Sequence, residues 1–223
     1  MNILFTSWII YFLCAIASPL SDKEIFITPY IWISTGGLLL NIILCIAAYT
    51  QVDKKQAKII YFSLNTVFLT LLSHLLYIYG INGCYTDIFG VSIPSILFAE
   101  WLGCGVPNTW STLMFLNVSK SHQWKATILY CLTILCGLAA VQSKSVFYTM
   151  TFYGLTMICF IFLMRLLICI QPITSTNCMM IPQLSGLIAL LYTLFPITYL
   201  FSLLTSFNSI NLFFLTSSIA KTC

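Results

Sequence analysis

Charge is what this sequence has least of. Only 6% of its 223 residues are charged, nine Lys or Arg against five Asp or Glu, where a soluble domain carries about a quarter. A chain that is 60% hydrophobic has too few polar groups to cover itself against water, which excludes a soluble globule and makes lipid its solvent. The net charge of +4 is spread along the chain, so no basic stripe offers itself to nucleic acid. There is no Gly-rich phosphate loop and no Cys-x-x-Cys pair. The ten cysteines are scattered, mostly inside apolar runs, and read as small hydrophobes between helices. Two histidines and five acids are too few for a zinc or calcium cage, so no metal site is expected.

What the chain does have is a succession of apolar runs. Residues 1–18 hold a short one ending in "AIAS". This resembles a signal peptide with a small-residue cleavage site but lacks a basic start; the other reading is an N-terminal apolar segment of the fold. Residues 19–223 form the membrane domain, with seven segments at about 27–50, 58–80, 94–118, 126–142, 146–170, 182–205 and 209–223. Most reach the roughly 20 residues that cross about 30 Å of hydrocarbon. Lipid supplies no partners for open backbone, so the segments are helices, and short loops make neighbours antiparallel. The expected fold is an all-α membrane protein, a seven-transmembrane helix bundle.

Lys54, Lys55, Lys58, Lys120, Lys125 and Arg165 fall on one side of that bundle, against Lys23 and Lys144 on the other. The richer side is cytoplasmic by the positive-inside bias, which puts the N-terminus outside and leaves the sequon Asn117-Val118-Ser119 at the inner face. The plasma membrane is the expected location. Pro182-Gln183 resembles half of the paired motif of PQ-loop transporters, but no second copy occurs.

Nearly every charged residue fits a loop or an interface, Asp87 among them in an outer loop. Glu100 and Lys221 do not; helices carry both into the bilayer. An ionisable group there costs about 2.5–3.5 kcal/mol on insertion scales and marks function. One stranded acid and one stranded base imply a pair. From Ile210 to Lys221 a helix rises only about 17 Å, so the seventh helix is expected to be incomplete, with Lys221 at mid-membrane. The plainer alternatives are a flanking lysine at the inner end of the last helix and a protonated, hydrogen-bonded Glu100. His74, in the second helix, reads as a polar residue bonding a neighbouring helix. Tyr192, Phe195, Pro196 and Tyr199 stand at i, i+3, i+4 and i+7, one helix face, which serves packing or a pocket wall equally.

Three stretches carry a resemblance. "FAEWLGCGVP", "LYTLFPITY" and "SSIAK" resemble, in order, the third-, sixth- and seventh-helix motifs of the microbial (type I) rhodopsins, the likeness covering about residues 27–223. It implies that Lys221 holds all-trans retinal as a Schiff base, with Glu100 as counterion and proton acceptor. It further implies that Trp101 stacks on the polyene and that Tyr192, Phe195, Pro196 and Tyr199 line the pocket. Ser217 takes the place of the family's second carboxylate, Leu97 that of its arginine, and Tyr192 that of a tryptophan. The stretch from Trp101 to Pro107 is one residue longer than the usual form. Inward of Glu100, where pumps carry a second acid, stand Ser111 and Thr112. Ser217 and His74 are similar to residues of heliorhodopsins, whose inverted orientation the charge bias opposes; "EWLGC" resembles channelrhodopsins, without their Thr-Cys-Pro element.

The implied function is a retinal-binding, light-responsive membrane protein, a sensory photoreceptor or ion channel rather than an efficient proton pump. It would not be an enzyme. Its partners would be the bilayer, protons or small ions and a second copy of itself. The alternative is a chromophore-free seven-helix transporter or receptor that uses the Glu100–Lys221 pair.

Overall fold

The structure, a computed structural model, describes residues 3–18, 29–115, 117–169, 180–205 and 209–222. Eight helices lie among them: α1 (Ile3–Ile16), α2 (Pro29–Tyr49), α3 (Lys54–Ile78), α4 (Ser95–Phe115), α5 (Lys120–Gln142), α6 (Val146–Ile168), α7 (Met180–Leu204) and α8 (Ser209–Thr222). A short antiparallel hairpin, β1 (Cys84–Thr86) with β2 (Ser92–Pro94), joins α3 to α4. Each of α2 to α7 packs on the helix before or after it, α7 on α8, and α8 back on α2. These seven helices therefore form a closed ring. Four of them, α2, α3, α5 and α6, contain stretches long and apolar enough to cross a membrane; the protein is an integral, multi-pass membrane protein.

The ring is turned inside out relative to a soluble bundle, as lipid requires. Leu40, Ile43 and Leu44 of α2 and Ile158, Ile161 and Phe162 of α6 face outward, while Thr70, Ser73, His74, Glu100 and Ser217 are buried. Polar groups can sit inside because they find one another there, and an unsatisfied one would cost several kcal/mol.

Helix α1 stands outside the ring, against α3 and α4. Tyr11 is fully buried and its hydroxyl meets Ser73 Oγ at 3.0 Å. Trp8 Nε1 donates to Asn65 Oδ1 at 2.7 Å, and Asn82 Nδ2 donates to the Ala15 carbonyl at 3.1 Å. Two glycines let α4 be approached from both flanks. A Cβ on Gly103 would lie 2.8 Å from Tyr11 Cβ, and one on Gly105 would lie 2.0 Å from the Tyr130 ring of α5. Tyr130 uses that opening to donate its hydroxyl to the Trp101 carbonyl at 2.9 Å.

Two expectations need correction. The fourth segment, expected from 126, begins at Lys120. Ser119 caps it, accepting the His122 N–H at 3.4 Å, so the cap lies on the far side of the charge at Lys125 from the apolar run. The loop that holds Asp87 is the hairpin, and Asp87 within it is 6% exposed instead of solvated. Its Oδ1 accepts the N–H groups of Phe89 and Val91, each at 2.9 Å, and Gly90, at φ 83°, supplies the left-handed turn that a side chain would strain.

Tyr11→Ala is expected to lower stability by about 3–5 kcal/mol, as for other large core aromatics, and Tyr11→Phe by about 0.5–1.5 kcal/mol. Thermal unfolding in detergent measures both. Gly105→Ala is expected to cost about 1–3 kcal/mol through overpacking on Tyr130. In a double-mutant cycle with Tyr130→Leu much of that loss should return; strict additivity would show the contact to be harmless.

Candidate functional site

The site begins with one acid. Glu100 lies on the second turn of α4 with no exposed surface. The Ser217 hydroxyl of α8 donates to its Oε1. Ser217 and Lys221 are four residues apart on α8, hence on one face a turn apart. The structure thus brings Glu100 and Ser217 into contact and sets the Lys221 backbone one turn further along. The Lys221 side chain lies outside the described part.

From Ser218 a second chain of polar contacts runs the other way. Its hydroxyl meets Ser34 Oγ of α2, and both reach His74 Nε2 of α3, Ser34 at 2.8 Å and Ser218 at 3.2 Å. His74 Nδ1 lies 2.8 Å from the Thr70 carbonyl. A carbonyl only accepts, so Nδ1 carries a proton and donates to it, and Nε2 faces the two hydroxyls. The imidazole is fully buried, edge-on to Phe214 at 4.7 Å between ring centres. As expected from sequence, His74 bonds neighbouring helices. Which helices those are, and that one partner adjoins Ser217, shows only in three dimensions.

The other half of the ring holds a cavity of about 500 Å³. Trp101, Tyr192, Phe195, Pro196 and Tyr199 all line it, so the structure gathers every aromatic singled out in the sequence around one space. Trp101 packs edge-on against Phe195 at 4.9 Å and Phe98 at 5.2 Å. Its Nε1 is buried without a hydrogen-bond partner among the described residues. Tyr192 keeps its hydroxyl 3.3 Å from Thr109. Phe213 of α8, one turn before Ser217, also lines the cavity, so the space adjoins the acid through Trp101 on one helix and through Phe213 on the other.

Sequence reading missed several contributors. Ser34 and Ser218 have no pattern of their own. Tyr130, Tyr153 and Phe160 reach the cavity from α5 and α6, helices with no motif. Gly103 and Gly105 stand inside the quoted third-helix stretch, and their close spacing was the one available sign of tight packing there. Among the described residues Glu100 is also not the only buried acid; Asp87 is buried too. It was assigned to water because hairpin donors cannot be read from a sequence of loop length.

No protein-family model matches the chain, and neither does any curated relative. Solved structures do. The transmembrane domain of Salpingoeca rosetta rhodopsin phosphodiesterase superposes with a TM-score of 0.79 at 11% identity, covering 99% of this chain and 93% of its own. Bromide-bound halorhodopsin from Halobacterium salinarum gives 0.74 at 14% identity, with 86% and 85% covered. The light-driven proton pump of Leptosphaeria maculans gives 0.69 at 12%, with 92% and 95% covered. Identities this low speak for architecture alone. With its closed ring of seven helices superposing on these structures over most of its length, this chain has the fold of the microbial (type I) rhodopsins.

Proposed function

We propose that the chain is a light-responsive membrane protein that binds retinal through Lys221, with Glu100 as the balancing anion. The observation that carries this reading is the fully buried Glu100 carboxyl held by Ser217, one helical turn from Lys221 and next to an aromatic cavity. An apolar space of about 500 Å³ suits a ligand of retinal's size, within the usual range of about 300–1,000 Å³ for small-molecule sites.

Retinal, held as a protonated imine, supplies light absorption, isomerisation and a cation with an ionisable N–H. The chain's own residues do the rest. Lys221 supplies the amine, which an apolar site keeps neutral and nucleophilic. Glu100 holds the negative charge, and the Ser217 hydroxyl donates to it. Trp101, Tyr192, Phe195, Pro196 and Tyr199 exclude water and fix the ligand's orientation. A proton released in the site has two acceptors: the Glu100 carboxylate and, through Ser218, His74 Nε2.

A sensory or channel role fits better than efficient pumping. On the inward half of α4, Ser111 and Thr112 offer no carboxyl to return a proton. Leu97, fully buried one turn before Glu100, offers no cation. Lys125 and Arg165 line a shallow depression at the other end of the bundle from the hairpin, and the positive-inside bias makes that end cytoplasmic and the hairpin end extracellular. The ring domain of residues 19–223, the all-trans isomer, residence in the plasma membrane and self-association belong to the same proposal.

Purified protein given all-trans retinal is expected to develop a visible band that hydroxylamine bleaches. Lys221→Ala abolishes it. Glu100→Gln, or protonation of Glu100 at low pH, shifts the band to the red, because losing the anion lets positive charge spread along the polyene. A full-length chain that folds and gives no band would end the proposal. A band unmoved by Glu100→Gln would remove Glu100 from its role.

A further inference from the structure

Asp87 gathers more than the hairpin needs. The turn already closes through its backbone, with the Asp87 N–H donated to Val91 O and the Gly90 N–H to Asp87 O, each at 3.1 Å. Oδ1 adds two N–H bonds within the loop. Oδ2 is turned to the helices, accepting the hydroxyls of Tyr153 on α6 at 2.8 Å and Tyr199 on α7 at 2.5 Å. The two phenol rings lie 4.9 Å apart, and both line the cavity.

Among the described residues, the side-chain hydrogen bonds joining α6 to other elements run through the Tyr153 hydroxyl, to Asp87 and to the neighbouring Tyr199. Side-chain bonds join α7 to α4, through Tyr192 and Thr109, to α8, through Thr198 and Thr216, and to Asp87. Among those residues the Asp87 carboxyl and the two phenols it holds are thus the polar bridge between α6 and α7. The cavity reaches the seam. Its lining includes Met150 and Met157 of α6 and Leu200 and Leu203 of α7, which are 39% to 56% exposed. These residues put the mouth of the space at the α6–α7 seam, on a face that a bilayer would cover. A ligand that partitions into lipid reaches it without crossing water.

We propose that Asp87 is a positioning residue that latches the outer halves of α6 and α7 to the hairpin and so governs how fast a retinoid passes between the bilayer and the cavity. This rests on reading the cavity as a retinoid site, though not on a covalent bond to Lys221. Its chemistry is plain: one carboxyl holds two phenols, so loosening it frees both walls of the mouth while leaving the apolar lining in place.

The test uses retinol, which has no aldehyde and forms no imine. Its uptake from vesicles into the full chain is followed by quenching of tryptophan fluorescence, since Trp101 lines the cavity. The Tyr153→Phe/Tyr199→Phe double variant keeps both rings and removes both bonds; Asp87→Asn is the second variant. In both variants uptake and release are expected to quicken together by about tenfold; in Asp87→Asn, outside the cavity lining, affinity is expected to change by less than about threefold, since the barrier falls and the binding surface stays. If the double variant keeps its helical circular dichroism and both rates stay within about twofold of the parent, the latch is refuted. A loss of affinity at unchanged uptake rate also refutes it, as that marks a merely structural role. Retinol kinetics that still depend on Asp87 in a Lys221→Ala background uphold the latch even if the imine reading fails. Absence of retinol binding by the parent chain overturns both.

Discussion

One hydrogen bond across the ring organises this protein: the Ser217 hydroxyl of α8 donating to the Glu100 carboxyl of α4. These helices face each other through the interior instead of packing as neighbours around the ring. A hydrogen bond contributes about 0.5–1.5 kcal/mol, and leaving a buried polar group unsatisfied costs about 1–3 kcal/mol. The bond therefore fixes where α8 can sit. With α8 fixed, Ser218 reaches Ser34 and His74, and a polar seam runs from α4 through α8 to α2 and α3. The opposite side of the ring, built from α5, α6 and α7, is left to aromatic and aliphatic walls. The interior is thus divided into a polar half that holds charge and protons and an apolar half with room for a hydrocarbon, and Lys221 follows the boundary by one helical turn.

The two buried acids differ in how they are supported. Four donors converge on Asp87, two of them backbone N–H groups fixed by a tight turn. That arrangement is stiff and compensates desolvation locally. Glu100 sits on a helix, where its own backbone can give it nothing, and depends on side chains from across the ring. A stiff acid suits anchoring; an acid that relies on mobile side chains suits a site whose charge must change. Position in the fold, at a hairpin or along a helix, decides which role each carboxyl can fill.

The helices were legible from the sequence because lipid imposes a length and an apolar composition on each, and the aromatic face of α7 was legible because its spacing matches the helical period. Glu100 stood out for the same reason, as a charge that no loop could absorb. Three features were not legible. The hairpin is made of three-residue strands, too short for alternation to register, so Asp87 passed for a solvated loop acid. Tyr130, Tyr153 and Phe160 come from helices whose apolar residues run all round, giving no preferred face until neighbours are known. Tyr11 and Trp8 sit in a run of leader-like composition, where composition alone does not separate a helix that docks from one that merely inserts; the hydrogen bonds to Ser73 and Asn65 do.

Charge neutrality explains why the departures from the family pattern come as a set. Leu97 stands one turn before Glu100, fully buried within the main core cluster, where the family pattern has an arginine. Ser217 stands where that pattern has a second acid. A guanidinium at 97 with Ser217 unchanged would add a buried cation that Glu100, proposed as the partner of Lys221, could not also balance. A carboxyl at 217 with Leu97 unchanged would set two anions within hydrogen-bonding reach, and one would have to take up a proton. Removing both together leaves one acid and one amine, a balance that a low-dielectric interior tolerates. It also leaves the seam short of groups that could pass a proton outward in sequence. On the proposed reading of the site, the same pair of replacements that keeps it neutral also favours a sensory or channel role over pumping.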